Sequence, residues 1–150
     1  MPKFENVRTA HHSPDEMFDL VADIARYPEF LPLCKALDIR SRRERDGKTL
    51  LVADMTVAYK LVRETFTSQV LLKPRERRID VSYIDGPFRY LDNRWTFEPV
   101  REGCAVGFFI DYEFKSRTLG ILMGSMFEYA FRRFATAFEE RADFVYGVAG

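Results

Sequence analysis

The run CAVGFFIDYEF (residues 104–114) and the run LGILMGSMFEYAFRRFATAFEERADFVY (residues 119–146) together decide the fold, because the hydrophobic period changes between them. In the first, Cys104, Val106, Phe108, Ile110, Tyr112 and Phe114 alternate, which predicts a strand with one buried face. In the second, Met123, Phe127, Phe131, Phe134, Phe138 and Ala142 recur every three or four residues, which predicts one helix over 119–146, about 40 Å long. Ala130 and Ala137 flank that stripe and allow close approach. Arg132, Arg133, Glu139, Glu140 and Arg141 mark the side expected toward water.

Upstream, the alternating pattern extends back to Cys34, punctuated by turn signals at Asp46-Gly47, Ala58-Tyr59, Pro74-Arg75-Glu76, Asp85-Gly86-Pro87 and Arg101-Glu102-Gly103. Six antiparallel strands joined by hairpins are expected there. Before them, Phe4 to His11 reads as another strand. Ser13-Pro14-Asp15-Glu16 then combines an N-cap serine, a first-turn proline and a Glu that closes a capping box. A second short helix fits Ile24 to Phe30, interrupted by Pro28 and stopped by Pro32. The expectation is an α+β arrangement in a single domain, residues 1–150: seven strands, two short helices and one long C-terminal helix.

Composition bounds the function. Lys and Arg (23) balance Asp and Glu (23), so bulk attraction to nucleic acid is not the default and no DNA partner is expected. There is no 18-residue apolar run, which excludes a spanning helix. Aromatic residues reach 15%, with 14 Phe, 7 Tyr and 1 Trp, so either the core is unusually aromatic or an apolar cavity is lined. Cys34 and Cys104 lack the spacing of a disulfide framework or a metal site and are expected as small buried hydrophobes. The opening Met1-Pro2-Lys3-Phe4-Glu5 has neither a signal-peptide apolar stretch nor transit-peptide character, so a cytoplasmic setting is expected, with at most peripheral contact at the inner membrane.

Hairpins alternate between the two ends of a meander. One end gathers Arg40 to Lys48, Lys73 to Arg78 and Arg101-Glu102, where ten Lys and Arg face four Asp and Glu. The other gathers Leu31-Pro32-Leu33, Ala58-Tyr59, Gly86-Pro87-Phe88 and Leu119 to Met123. The first is by default a solvated hairpin end, with Asp15, Glu16, Asp19, Glu139 and Glu140 as local neutralisers. The alternative is a surface for an anionic partner such as ribosomal RNA or a membrane headgroup, with Arg43, Arg45, Arg75 and Arg77 as its candidates. The second is either the mouth for an apolar ligand, or a shallow contact with a bilayer, or, equally, residues that simply close the bottom of the core.

Candidates for catalysis are few. His11 and His12 are the only histidines and stand together at a strand end, where a structural role outweighs a catalytic one. Asp54, Glu64, Asp111 and Glu113 fall within strands, and the outward phase of a half-solvated sheet accounts for them. No nucleophile elbow, histidine metal motif or phosphate-cradling loop occurs, so neither catalytic nor metal-ligating residues are assigned.

Two segments resemble a known family. Tyr27-Pro28-Glu29-Phe30-Leu31-Pro32, and Asp85-Gly86-Pro87-Phe88-Arg89-Tyr90-Leu91 followed by Trp95-Thr96-Phe97, are similar to signatures of the START-like coenzyme Q-binding family. That family lies within the polyketide cyclase/dehydrase superfamily, close to a bacterial ribosome-association toxin branch. The resemblance covers nearly the whole chain. It implies a helix-grip (START/Bet v 1-like) fold, in which the long helix lies across a curved sheet and encloses an apolar tunnel. It further implies a non-enzymatic carrier or chaperone of ubiquinone or another isoprenoid quinone that supports respiration, with no separate cofactor. The alternatives are a module that binds the large ribosomal subunit and hinders subunit joining, and an aromatic polyketide cyclase. For the carrier, Tyr59, Tyr90 and Trp95 are the candidate headgroup donors. Phe88, Met123, Phe127 and Phe131 are the candidate tail lining, and Leu31, Met55 and Phe66 are further wall residues.

Overall fold

The computed structural model describes residues 3–59 and 62–147. The N-terminal Met1-Pro2 and the link between the third and fourth strands lie outside that range. Seven strands form one antiparallel sheet: β1 (Lys3–Ala10), β2 (Cys34–Arg45), β3 (Lys48–Tyr59), β4 (Val62–Lys73), β5 (Arg78–Asp85), β6 (Phe88–Val100) and β7 (Gly103–Phe114). Their spatial order is β1-β7-β6-β5-β4-β3-β2, a meander whose last strand picks up the first. Helix α1 (Pro14–Ala22) and a 3₁₀ segment (Ile24–Glu29) connect β1 to β2, and α2 (Arg117–Tyr146) follows β7. This is the START/Bet v 1-like architecture, a curved sheet gripped by one long C-terminal helix.

Local chemistry explains the boundaries. The Glu16 N–H donates to Ser13 Oγ and the Ser13 N–H donates to Glu16 Oε1, both at 3.1 Å, closing the capping box. Helix α2 starts two residues before the expected Leu119 because Ser116 caps it, its Oγ accepting from the Leu119 N–H at 3.1 Å. The expected turn at Ala58-Tyr59 is corrected by register: Ala58 pairs with Arg63 and Tyr59 with Val62, so both still belong to β3.

The inward phases of the strands and the α2 stripe share one core. Met123, Phe127, Phe131, Phe138 and Ala142 are buried, as are Met126 and Ala130 beside them. Arg141 departs from its expected place on the wet side. Its guanidinium bonds Glu29 at 2.8 Å and lies over the Phe30 ring, so it ties α2 to the 3₁₀ segment. Both Arg26 and Arg141 bond Glu29, which holds that carboxyl below the usual range.

Candidate functional site: an apolar cavity under the long helix

Helix α2 comes closest to the backbone of β1, β7 and α1, leaving the β2–β5 half of the sheet further from it. A cavity of about 110 Å³ occupies that gap. Its floor is the inward phase of the meander, including Met55, Phe66, Val70, Val81, Leu91 and Ile110; its roof is Met126, Phe127, Ala130, Phe131 and Phe134. Tyr27 and Leu31 to Cys34 close one side. A smaller space of about 30 Å³ adjoins it toward β1 and shares Trp95, Phe108, Phe131, Phe134 and Phe138 as walls. Large rings packed edge to face enclose volume they do not fill: Trp95 meets Phe138 at 5.1 Å and Phe108 at 4.7 Å between ring centres.

Six of the expected cavity residues stand on the wall: Leu31, Met55, Phe66, Trp95, Phe127 and Phe131. Four do not. Phe88 is 1% exposed and is the hub of a plug, ringed by Phe66, Tyr83, Tyr112, Phe114 and Phe127 at 5.0–5.9 Å. Met123 is wholly buried one turn before the roof. Tyr90 lies in the outward phase of β6 and donates its hydroxyl to Asp111 at 3.3 Å. Tyr59, at the far end of β3, is 42% exposed. The Phe88 plug therefore shuts the Gly86-Pro87-Phe88 part of the expected mouth, whereas its Leu31-Pro32-Leu33 part stands on the cavity wall. The half-buried wall residues are Pro32, Leu33, Leu37 and Met55, at or beside the β2–β3 edge, together with Val81 on β5 and Phe134 on α2. Leu33 there holds a left-handed backbone (φ 68), a strained conformation for a leucine.

Polar groups in the cavity are sparse. Ser68 and Asn93 are 7% and 8% exposed and both line it. Asn93 Nδ2 donates to the Phe109 carbonyl at 2.8 Å. The Tyr27 hydroxyl donates to the Val21 carbonyl, and burial drives its pKa far above the ordinary tyrosine value. Burial pushes Cys34 up to about 11 and Tyr112 up to about 12, so both are neutral at physiological pH. Sequence reasoning missed Ser68 and Asn93. Their signal was present, since Phe66-x-Ser68-x-Val70 and Leu91-x-Asn93-x-Trp95 put both in the inward phase.

Among the described residues no group of three or more His, Cys, Asp or Glu is placed to hold a metal. His11 is exposed, whereas His12 is buried, with Nε2 2.7 Å from Asp143 Oδ1, so it joins the end of β1 to the end of α2. Asp54 takes Arg40 at 2.7 Å and Glu113 takes Arg89 at 3.6 Å, both as surface pairs of the outward sheet face. Cys104 is fully buried at the start of β7, and burial raises its thiol to about 11.

The basic end is more neutralised than its count implies. Arg77 adopts a left-handed turn conformation (φ 50) and reaches Asp15 at 3.4 Å, Arg45 is 3.7 Å from Asp46, and Lys73 bonds Asp80 at 2.8 Å. Burial opposes ionisation of Asp80, but hydrogen bonds from Lys73 and Arg78 outweigh it and hold the carboxyl low. Among the described residues, Arg43 and Arg75 are exposed and carry no ion pair. Arg75 lies over the Gly47 turn, its Nε 3.6 Å from where a Cβ on that glycine would sit.

A curved sheet gripped by one helix over an apolar cavity defines a class of small-molecule-binding folds. The chain belongs to the family of polyketide cyclases/dehydrases and lipid transport proteins, whose pattern it matches over residues 10–139. It is 34% identical over 145 residues to the ribosome association toxin RatA of Rickettsia prowazekii, covering 95% of this chain and 97% of that one. It is 32% identical over 109 residues to the mitochondrial coenzyme Q-binding protein COQ10 of Drosophila melanogaster, covering 70% of this chain and 43% of that one. The solution structure of an 18 kDa protein from Caulobacter crescentus superposes with a TM-score of 0.82 at 30% identity, covering 99% of this chain and 100% of that one. The Zhui aromatase/cyclase shares the fold, with a TM-score of 0.73 at 17% identity, covering 94% of this chain and 90% of that one. No helix among the described residues is long and apolar enough to cross a membrane.

Proposed function

We propose that the protein binds an isoprenoid quinone, ubiquinone being the leading candidate, and acts as a carrier rather than a catalyst. The observation that carries this reading is the cavity: about 110 Å³, walled by aliphatic and aromatic side chains, with Ser68 and Asn93 as buried polar residues on its floor. A dry engineered cavity of about 150 Å³ admits benzene, so this one, at about 110 Å³, approaches the size of one small ring and has to widen along its half-buried edge to take a substituted quinone. A longer tail would leave by the half-buried β2–β3 edge. Covering roughly 300 Å² of tail at about 25 cal/mol per Å² supplies about 7 kcal/mol before ordering costs. The resemblance to a coenzyme Q-binding protein supports the same class of ligand.

The test is solvent extraction of the native protein from quinone-producing cells, read by mass spectrometry with a redox difference spectrum. Stoichiometric quinone supports the carrier. A mixture of lipids leaves an apolar carrier without quinone selectivity, and an empty extract refutes the reading. The Phe127→Asp variant should lose the ligand while Arg43→Glu keeps it; equal loss from both would remove the cavity from the account.

A second reading has its own support. Relatives named ribosome association toxin align along almost the whole chain, and Arg43 and Arg75 stand exposed without ion pairs among the described residues. On this reading the hairpin end docks on ribosomal RNA, and co-sedimentation with the large subunit weakens steeply with salt.

A further inference from the structure

We infer that Ser68 and Asn93 are the headgroup contacts of the cavity: the ligand enters polar ring first, its oxygens taken by the Ser68 hydroxyl and the Asn93 amide. This rests on the proposed binding of an oxygen-bearing apolar ligand and adds its orientation and the residues that select it.

Both side chains are more than nine-tenths buried in a wall that is otherwise almost wholly apolar. Such groups are ordinarily paired, because burying a hydroxyl or amide unpaired costs stability. Among the described residues nothing hydrogen-bonds the Ser68 hydroxyl. Asn93 uses one N–H on the Phe109 carbonyl, leaving its second N–H and its Oδ1. Neighbouring inward positions show what the sheet needs structurally, since Phe66, Val70, Leu91 and Trp95 are apolar. A structural role is thus absent for Ser68 and half-filled for Asn93.

Register sets their spacing. Val70 pairs with Val81 and Val81 with Asn93, while Ser68 stands one inward step along β4 from Val70. Two strand spacings across and one two-residue step along separate their Cα atoms by about 12 Å. That span suits one substituted ring with oxygen functions on opposite sides, each hydrogen-bonded at about 2.9 Å. Entry head first leaves the tail on the side where Leu33, Leu37 and Met55 are half-buried.

The experiment compares a short-tailed ubiquinone with the isoprenoid hydrocarbon of the same tail, on wild-type protein and on Ser68→Ala and Asn93→Leu. Binding is read by quenching or displacement at Trp95, the single tryptophan and itself a wall residue. Each substitution should weaken the quinone roughly tenfold, the worth of one well-made hydrogen bond, and leave the hydrocarbon unchanged. Ser68→Ala should also keep or raise the melting temperature of the empty protein, since it removes a hydroxyl that faces an apolar cavity and makes no side-chain hydrogen bond among the described residues. If Asn93→Leu fails to fold through loss of its Phe109 bond, Ser68→Ala and Ser68→Val carry the comparison. Wild type that binds both ligands with no change on Ser68→Ala overturns the headgroup assignment and leaves the cavity reading intact. Wild type that binds neither ligand overturns the cavity reading and the assignment with it.

Discussion

Filling the cavity from the helix side should make the protein more stable and less able to hold its ligand. Ala130 is 3% exposed on α2 and lines the roof, and leucine is nearly as good a helix former as alanine. At about 24 cal/mol per Å³, a void of 110 Å³ costs the empty protein about 2.6 kcal/mol. The three carbons added by Ala130→Leu give a comparable ceiling of about 2.4 kcal/mol, at about 0.8 each. Strain from imperfect fit removes about 1 kcal/mol or more. The net gain is about 1 kcal/mol, a rise in Tm of about 2–4 °C for a domain of this size. Thermal melts of delipidated protein measure the first effect, and titration with short-tailed ubiquinone followed at Trp95 measures the second. Ala53→Leu approaches the same void from β3 and gives an independent filling. A variant with a raised Tm and undiminished quinone affinity would refute the assignment of the cavity as the binding site.

Gly86 has φ +145, and a Cβ there would lie 2.6 Å from Phe66 Cβ and 2.9 Å from Phe66 Cα, so Gly86→Ala should cost about 2–3 kcal/mol, read as a lowered denaturation midpoint. Stability should also fall in alkali. The folded state keeps Cys34 and Cys104 protonated up to about 11, whereas unfolded thiols ionise near about 8.5. Their contribution is therefore complete below about pH 8.5 and lost as pH rises toward about 11. Urea melts at neutral and alkaline pH, repeated on a variant with both cysteines replaced by alanine, should show a flatter alkaline decline in the variant.

The elements were legible because each carries a local signal: the α2 stripe, the Ser13 box, and the period-two runs broken by Gly and Pro. Side-chain phase marked the inward face of β7 directly but left that of β6 open, where the expected cavity residue Tyr90 stands outward. It could not say which inward residues would meet the void and which would meet one another, because that depends on where α2 stands over the sheet. Phe88 and Phe66 are both inward and aromatic, yet one is the hub of a plug and the other is a wall. His12 with Asp143 and Arg141 with Glu29 join residues more than a hundred positions apart, and neither pairing leaves a trace in spacing. The charge count at the hairpin end was readable and Asp15 was among its expected neutralisers, whereas the pairing of Lys73 with Asp80 of β5 had no local signal.

The two functional readings occupy different parts of the molecule, which makes them separable. Docking through the hairpin end needs no void under α2, and a void that costs about 2.6 kcal/mol is hard to account for on a surface-binding role alone. Arg43→Glu with Arg75→Glu changes two exposed side chains, with no ion pair to break among the described residues, so stability should move by less than about 0.5 kcal/mol. Ala130→Leu changes the void and no surface charge. Effects at such distant sites are expected to add. If the protein co-sediments with large ribosomal subunits at low salt, the double arginine variant should lose that binding and Ala130→Leu should keep it. Loss of ribosome binding from Ala130→Leu alone would mean that the occupied cavity is part of the docking surface, and the two readings would then describe one activity. No co-sedimentation of the wild type at low salt would discard the ribosome and leave the cavity as the functional site.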